Sequence, residues 1–95
     1  MSATMYTTND GELVGDKMRS AVSLTESYGA LPSMNALAKK VGPNGSQDYG
    51  YRIVKRCLKK DLLELDADHD GATPQGRGAV VVTDKGREFL ESLDD

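Results

Sequence analysis

The segment that most constrains the fold is residues 47–60, which have two opposite faces at helical spacing. At about 100° per residue, the apolar side chains of this segment share one arc. Four cations lie on the opposite side at i, i+3, i+4 and i+7: Arg52, Lys55, Arg56 and Lys59. The pattern predicts an amphipathic helix that is capped by Ser46 or Asp48 and runs to about Lys60. This helix buries one face and presents a basic stripe on the other.

The basic stripe belongs to a charge distribution that the overall composition hides. The 95-residue chain has a formal net charge of −3. Residues 39–60 contain seven bases and one acid, a net of +6, whereas residues 61–95 have a net of −7. Like charges at i and i+4 destabilise a solvated helix, so this stripe favours a surface that meets a charged partner. An ordinary solvated helix face is the alternative.

Two helices and a short extended link are predicted before the stripe. Residues 14–28 place five side chains on one helical face, and Gly29 ends the helix. Leu31 precedes a proline and is biased towards an extended conformation. Ser33 is a good N-cap for a second helix that ends at Gly42. The residues predicted to face inward are Val14, Met18, Ala21, Val22 and Thr25 in the first helix, and Ala36, Leu37 and Val41 in the second.

Two strands and a final helix are predicted after the stripe. "LLELDAD" and "AVVVTD" have strand character and flank a loop rich in Gly and Pro. Thr83 caps a last helix with Phe89, Leu90 and Leu93 on its apolar side. The predicted class is α+β, in the order α, short β, α, α, β, β, α. Residues 1–13 are predicted to be a flexible arm, and residues 14–93 to be one domain.

Several functional classes find no support in the sequence. No apolar run approaches the ~20 residues of a membrane helix, and the N-terminus lacks the features of a signal peptide, so we expect a cytoplasmic protein. Cys57 falls within the apolar arc and is predicted to be a core residue. His69 is the only histidine, and no nucleophile–base pair or cofactor motif occurs. We therefore expect neither an enzyme nor a cofactor or small-molecule ligand.

The string "DADHDG", from Asp66 to Gly71, matches the first half of a calcium-binding loop. The twelfth position of such a loop supplies a bidentate glutamate, but here it is Arg77. The ninth position is Pro74, and the flanking segments are predicted to be strand and loop rather than helices. The string is better interpreted as the outgoing strand of a hairpin, and no metal site is predicted.

The order of these segments resembles a winged helix-turn-helix domain. "LAKKVG" is similar to the second helix of such a domain, and "RIVKRCLKKDLLELD" to the end of its recognition helix and first wing strand. "AVVVTDKGREFL" resembles the strand and helix that close the wing in bacterial and archaeal transcriptional regulators of the MarR, PadR and ArsR kind. The resemblance covers about residues 14–93.

The sequence departs from that pattern in three places. Asp61 stands where such regulators usually have glycine between recognition helix and wing, and aspartate tolerates the left-handed conformation better than most residues. The turn "GPNGSQDY" is about two residues longer than usual. The chain also lacks the long additional helices through which larger regulators dimerise and hold ligands.

The resemblance implies that the third helix enters the major groove of DNA and that the hairpin touches the backbone or minor groove. It assigns groove and phosphate contacts to the four stripe cations, with Arg56 and Lys59 limited to the backbone or missing the DNA. Other candidates lie at the end of the second helix, at the start of the third and near the tip of the hairpin. These are Lys39, Lys40, Ser46, Gln47, Tyr49, Tyr51 and Arg77.

Within that set, Gln47 has the chemistry to bind adenine with two hydrogen bonds, and Ser46 and Tyr49 can donate to phosphate. Tyr51 lies at the edge of the apolar arc and is equally explained as a core residue. Double-stranded DNA is the predicted partner, bound by a homodimer that regulates transcription. The alternative is a winged-helix adaptor that binds another protein, which the acidic C-terminal third would favour.

Overall fold

The computed structural model describes residues 5–8, 11–42, 47–68 and 78–93. These residues form four helices and two small antiparallel sheets, so the predicted α+β class is confirmed. The elements are β1 (Met5–Thr7), β2 (Leu13–Gly15), α1 (Asp16–Tyr28), α2 (Met34–Val41), α3 (Gln47–Lys59), β3 (Leu63–Asp66), β4 (Ala79–Val82) and α4 (Asp84–Leu93).

The short extended link between α1 and α2 is confirmed at Leu31. Its backbone N–H donates to the Val80 carbonyl at 3.0 Å, and its carbonyl accepts from the Val80 N–H at 2.8 Å. Val80 belongs to β4, so this isolated bridge joins Leu31 to the strand that also pairs antiparallel with β3. The chain between the first two helices is thereby attached to the same strand as the C-terminal hairpin.

The described part of the N-terminal segment contains a pair of short strands that the sequence did not predict. Strand β1 pairs antiparallel with β2, with Tyr6 opposite Val14. The Thr8 side chain accepts a hydrogen bond from the Glu12 N–H at 3.0 Å. This contact helps to connect the two strands, which the polar composition of the segment did not indicate. The Tyr6 ring meets Phe89 edge-on, with 6.3 Å between ring centroids. Val14 is buried as predicted, but it belongs to β2 rather than to the first helix.

Helix α1 buries the face that its apolar spacing predicts. Met18, Ala21, Val22 and Thr25 are all buried, and the Thr25 hydroxyl donates to the Ala21 carbonyl at 2.8 Å. That hydrogen bond satisfies a polar group inside the core, where an unpaired hydroxyl would be costly. The helix ends at Gly29, whose φ of 84° favours glycine.

Helix α2 begins as predicted but is rotated slightly from the predicted orientation. The Ser33 hydroxyl accepts from the Ala36 N–H at 3.2 Å, which is an N-cap hydrogen bond. Leu37 and Val41 are buried as expected, whereas the prediction for Ala36 was wrong in degree: it is half-buried, and Ala38 takes the fully buried position. The reason is that α3 packs against α2 at Ala38 rather than at Ala36.

The contact between α2 and α3 is made at Gly50, which is buried within α3. A Cβ atom there would collide with the Ala38 carbonyl oxygen and lie 2.7 Å from its carbonyl carbon. Glycine in a helix costs about 1 kcal/mol relative to alanine, and the close approach explains why it is present. This agrees with the inward angle that helical periodicity assigns to Gly50.

The turn from α3 into β3 depends on Asp61, which has a φ of 63°. The expectation that aspartate accommodates the left-handed conformation is therefore confirmed. The Thr83 hydroxyl donates to the Asp61 carbonyl and accepts from the Gly86 N–H at 3.0 Å. One side chain thus caps α4, as predicted, and also fastens the turn that leads into the hairpin.

The core lies between these elements. Phe89 of α4 is buried at its centre, together with Leu62, Leu63 and residues from all three preceding helices. Leu90 and Leu93 pack against the core from its edge, which agrees with the predicted apolar side of α4. In the described part of the chain, no helix is both long and apolar enough to cross a bilayer.

We predict that Gly50→Ala destabilises the protein by about 2 kcal/mol, because overpacking outweighs the gain in helix propensity. Denaturant unfolding measures this change. Gly15→Ala is the matched control: a Cβ at Gly15 has no other described atom within 4 Å, and we expect a change of about 1 kcal/mol or less. A Gly50→Ala protein as stable as wild type would contradict the close contact.

Candidate nucleic-acid interface

Helix α3 has the two faces that its sequence predicts. Gly50, Ile53, Val54 and Cys57 are buried. The four cations of the stripe, Arg52, Lys55, Arg56 and Lys59, are exposed on the other side. The helix is therefore held by its apolar face while its basic face remains accessible to a partner.

A second pair of cations lies close to the start of α3. Lys39 and Lys40 are exposed in the last turn of α2. They directly follow Ala38, whose carbonyl meets Gly50. The close helix contact thus brings the end of α2 beside the first turns of α3. We call the six exposed cations of these two helices the basic surface.

Among the described residues, the cations of the basic surface are not paired with carboxylates. Within the described residues, none of its six cations forms an ion pair. The ion pairs that do form there involve α1, α4 and the residue before β2, at N–O distances of 3.3 to 3.6 Å. They are Asp16–Arg19, Glu12–Lys85, Glu26–Arg87 and Asp84–Arg87. Three cations outside the basic surface, Arg19, Lys85 and Arg87, are therefore paired with carboxylates, whereas the six cations of the basic surface have no such partner among the described residues.

Two lysines of the basic surface contact tyrosine rings instead. Lys55 Nζ lies 5.8 Å from the centroid of the Tyr51 ring, and Lys40 Nζ lies 5.0 Å from that of Tyr28. A ring attracts an ammonium through its quadrupole but carries no net charge. These contacts can order a lysine without cancelling the charge that would attract an anion.

The first turn of α3 presents a different set of groups. Gln47, Asp48 and Tyr49 are exposed, with Tyr49 47% accessible. Tyr51 is half-buried and packs against the core, which agrees with its interpretation as a core residue. Its predicted contact with DNA stays a prediction. An amide, a carboxylate and a phenol at one helix end supply donors and acceptors suited to base edges.

Two residues of this surface were not predicted as site residues. Asp48 lies at the same helical angle as the stripe, and helical periodicity applied to it would have shown this. Its carboxylate is favoured at a helix N-terminus and has the chemistry to accept a hydrogen bond from cytosine. Tyr28 has no comparable sequence signal, because its contact with Lys40 joins two separate helices.

Some predicted features lie outside the described residues. Ser46 and Arg77 are among them, and so is most of the loop that follows Asp68. In the calcium-like string, the Asp66 carboxylate accepts from the Asp68 backbone N–H at 3.1 Å, a local turn contact. No group of three His, Cys, Asp or Glu side chains within the described ranges is arranged to hold a metal ion.

Cys57 lies on the buried side of the helix that carries the stripe. Its side chain is fully buried, as predicted, and its Sγ lies 3.7 Å from the Met18 carbonyl oxygen. Desolvation by burial raises the pKa of the thiol to about 12. The thiolate is the reactive form of cysteine, so this side chain fills space between α3 and α1.

Comparison with known proteins finds no matching family model, no matching curated protein and no matching solved structure.

We predict that Cys57 in the folded protein does not react with Ellman's reagent at pH 8 but reacts fully in denaturant. Burial keeps the thiol protonated, whereas an unfolded thiol ionises near pH 9. Stability is therefore expected to fall as pH rises from about 9 towards the folded-state pKa of about 12. Rapid labelling of native protein, at the rate seen for the unfolded chain, would contradict this burial.

Proposed function

We propose that this protein is a transcriptional regulator that binds double-stranded DNA through α3 and the end of α2. In this proposal α3 enters the major groove, and the hairpin of β3 and β4 contacts the backbone or minor groove. The supporting observation is that the six exposed cations of α2 and α3 have no carboxylate partner within the described residues. Uncompensated cations on one surface are what phosphate binding requires.

The arrangement of elements supports a winged helix-turn-helix as the finer description of the α+β fold. The order α1, Leu31 bridge, α2, α3, β3, β4, α4 matches that expected from the sequence resemblance. The close contact of Gly50 with Ala38 supports α2 and α3 as the helix-turn-helix pair. Arg77, which lies outside the described residues, remains the proposed minor-groove contact of the wing.

We further propose that the protein acts as a homodimer, which would bind a two-fold symmetric site with half-sites about one DNA turn apart. The N-terminal hairpin offers apolar surface for such an interface. Met5 and Leu13 are 52% and 58% exposed on its strands. Analytical ultracentrifugation tests this independently of DNA binding.

Fluorescence anisotropy with duplex DNA tests the proposed function. If about four of the cations contact phosphates, the logarithm of affinity should fall with the logarithm of salt concentration at a slope of about −3.6. Affinity would then drop about 12-fold between 50 and 100 mM salt. Failure to bind any duplex at low salt would refute the proposal.

A double charge reversal, Arg52→Glu with Lys55→Glu, is expected to weaken DNA binding at least about 100-fold. Lys17→Glu is the single-reversal control, since Lys17 is an exposed cation on α1, a helix that carries none of the six cations. We expect this control to reduce affinity only slightly. Unchanged DNA binding in the double variant, together with loss of a protein partner in pull-down, would favour the adaptor alternative.

A further inference from the structure

The last residue of α1, Tyr28, is an exposed aromatic side chain with a lysine against it. It is 58% accessible. Lys40 Nζ lies 3.4 Å from its hydroxyl oxygen and 5.0 Å from its ring centroid. The contact joins the C-terminal ends of α1 and α2. It places a phenol and an ammonium together on the surface.

The hydrogen bonding of this pair leaves donors that have no acceptor among the described residues. An ammonium has three donors and no acceptor, so Lys40 donates and the Tyr28 oxygen accepts. The phenolic proton then stays free to donate, and the ammonium keeps two further donors. In the described part of the chain, Lys40 has no carboxylate partner. The pair is therefore a cationic cluster of donors facing solvent.

A structural role alone explains part of this arrangement. Lys40 lies in the last turn of α2, where a cation interacts favourably with the helix dipole. The ring of Tyr28 adds a cation–π contact that ties α2 to α1. Neither effect needs the phenolic hydroxyl to be exposed, and neither uses its free proton. The hydroxyl oxygen already accepts from Lys40 in the packing contact, so the donating proton is what distinguishes a binding site from that contact.

We propose that Tyr28 and Lys40 together bind one phosphate of the DNA backbone, which accepts a hydrogen bond from the phenol and from the ammonium. Tyrosine and lysine side chains are both common donors to DNA phosphates. The ring holds the ammonium in place before the phosphate arrives, which lowers the ordering cost of binding. This inference rests on the proposed function and extends the interface from α3 and α2 to the end of α1.

The test measures anisotropy with one duplex at several salt concentrations for wild type and three variants. Tyr28→Phe keeps the ring and removes only the hydroxyl, so affinity should fall about fivefold while the salt slope stays unchanged. Lys40→Gln removes a charge, so affinity should fall about tenfold and the slope should become shallower by about one. Lys17→Gln, at an exposed cation elsewhere on α1, should behave as wild type. Unfolding midpoints verify that each variant is folded.

The failure of this inference differs from the failure of the proposed function. Wild-type affinity in Tyr28→Phe would overturn the phosphate site, even if Lys40→Gln weakens binding. Wild-type protein that binds no duplex at low salt would remove the proposed function, and the phosphate site with it. A fivefold loss at an unchanged salt slope supports the inference, because a neutral hydroxyl releases no counterion.

Discussion

The close approach of α3 to α2 at Gly50 is the constraint on which the basic surface depends. With no side chain at Gly50, the backbone of α3 rests directly on the Ala38 carbonyl. That contact turns the apolar face of α3 into the core and its cations outward, and it brings Lys39 and Lys40 beside the start of α3. A larger residue would separate the two helices and move the cations of α2 away from those of α3.

The described cations differ in the groups that they contact. Arg19 of α1 and Lys85 and Arg87 of α4 pair with carboxylates, which offset their charge. On α2 and α3, Lys40 and Lys55 contact tyrosine rings instead. A carboxylate would order a lysine and cancel its charge, whereas a ring orders it and leaves the charge in place. This difference, rather than the net charge of −3, is what favours an anionic partner for the basic surface.

Patterns within one segment of the sequence predicted those elements whose structure depends on that segment alone. The periodicity of α3 gave its buried and exposed faces, and Ser33 and Thr83 cap helices as expected. The N-terminal hairpin escaped prediction because its strands are only three residues long. In addition, the Tyr6 ring packs against Phe89, which lies far along the chain. The Tyr28–Lys40 contact escaped for the same reason: no periodicity within one segment encodes a pairing between two helices.

The most direct test of the central claim is an NMR titration of labelled protein with a short duplex. If the surface of α2 and α3 binds DNA, amide shifts should concentrate in Gln47–Lys59 and at Lys39 and Lys40. The amide resonances of α4, whose cations pair with carboxylates, should shift little. The same is expected for β1, which contains no charged residue. Shifts confined to α4 and the N-terminal hairpin, with α3 unaffected, would contradict the account.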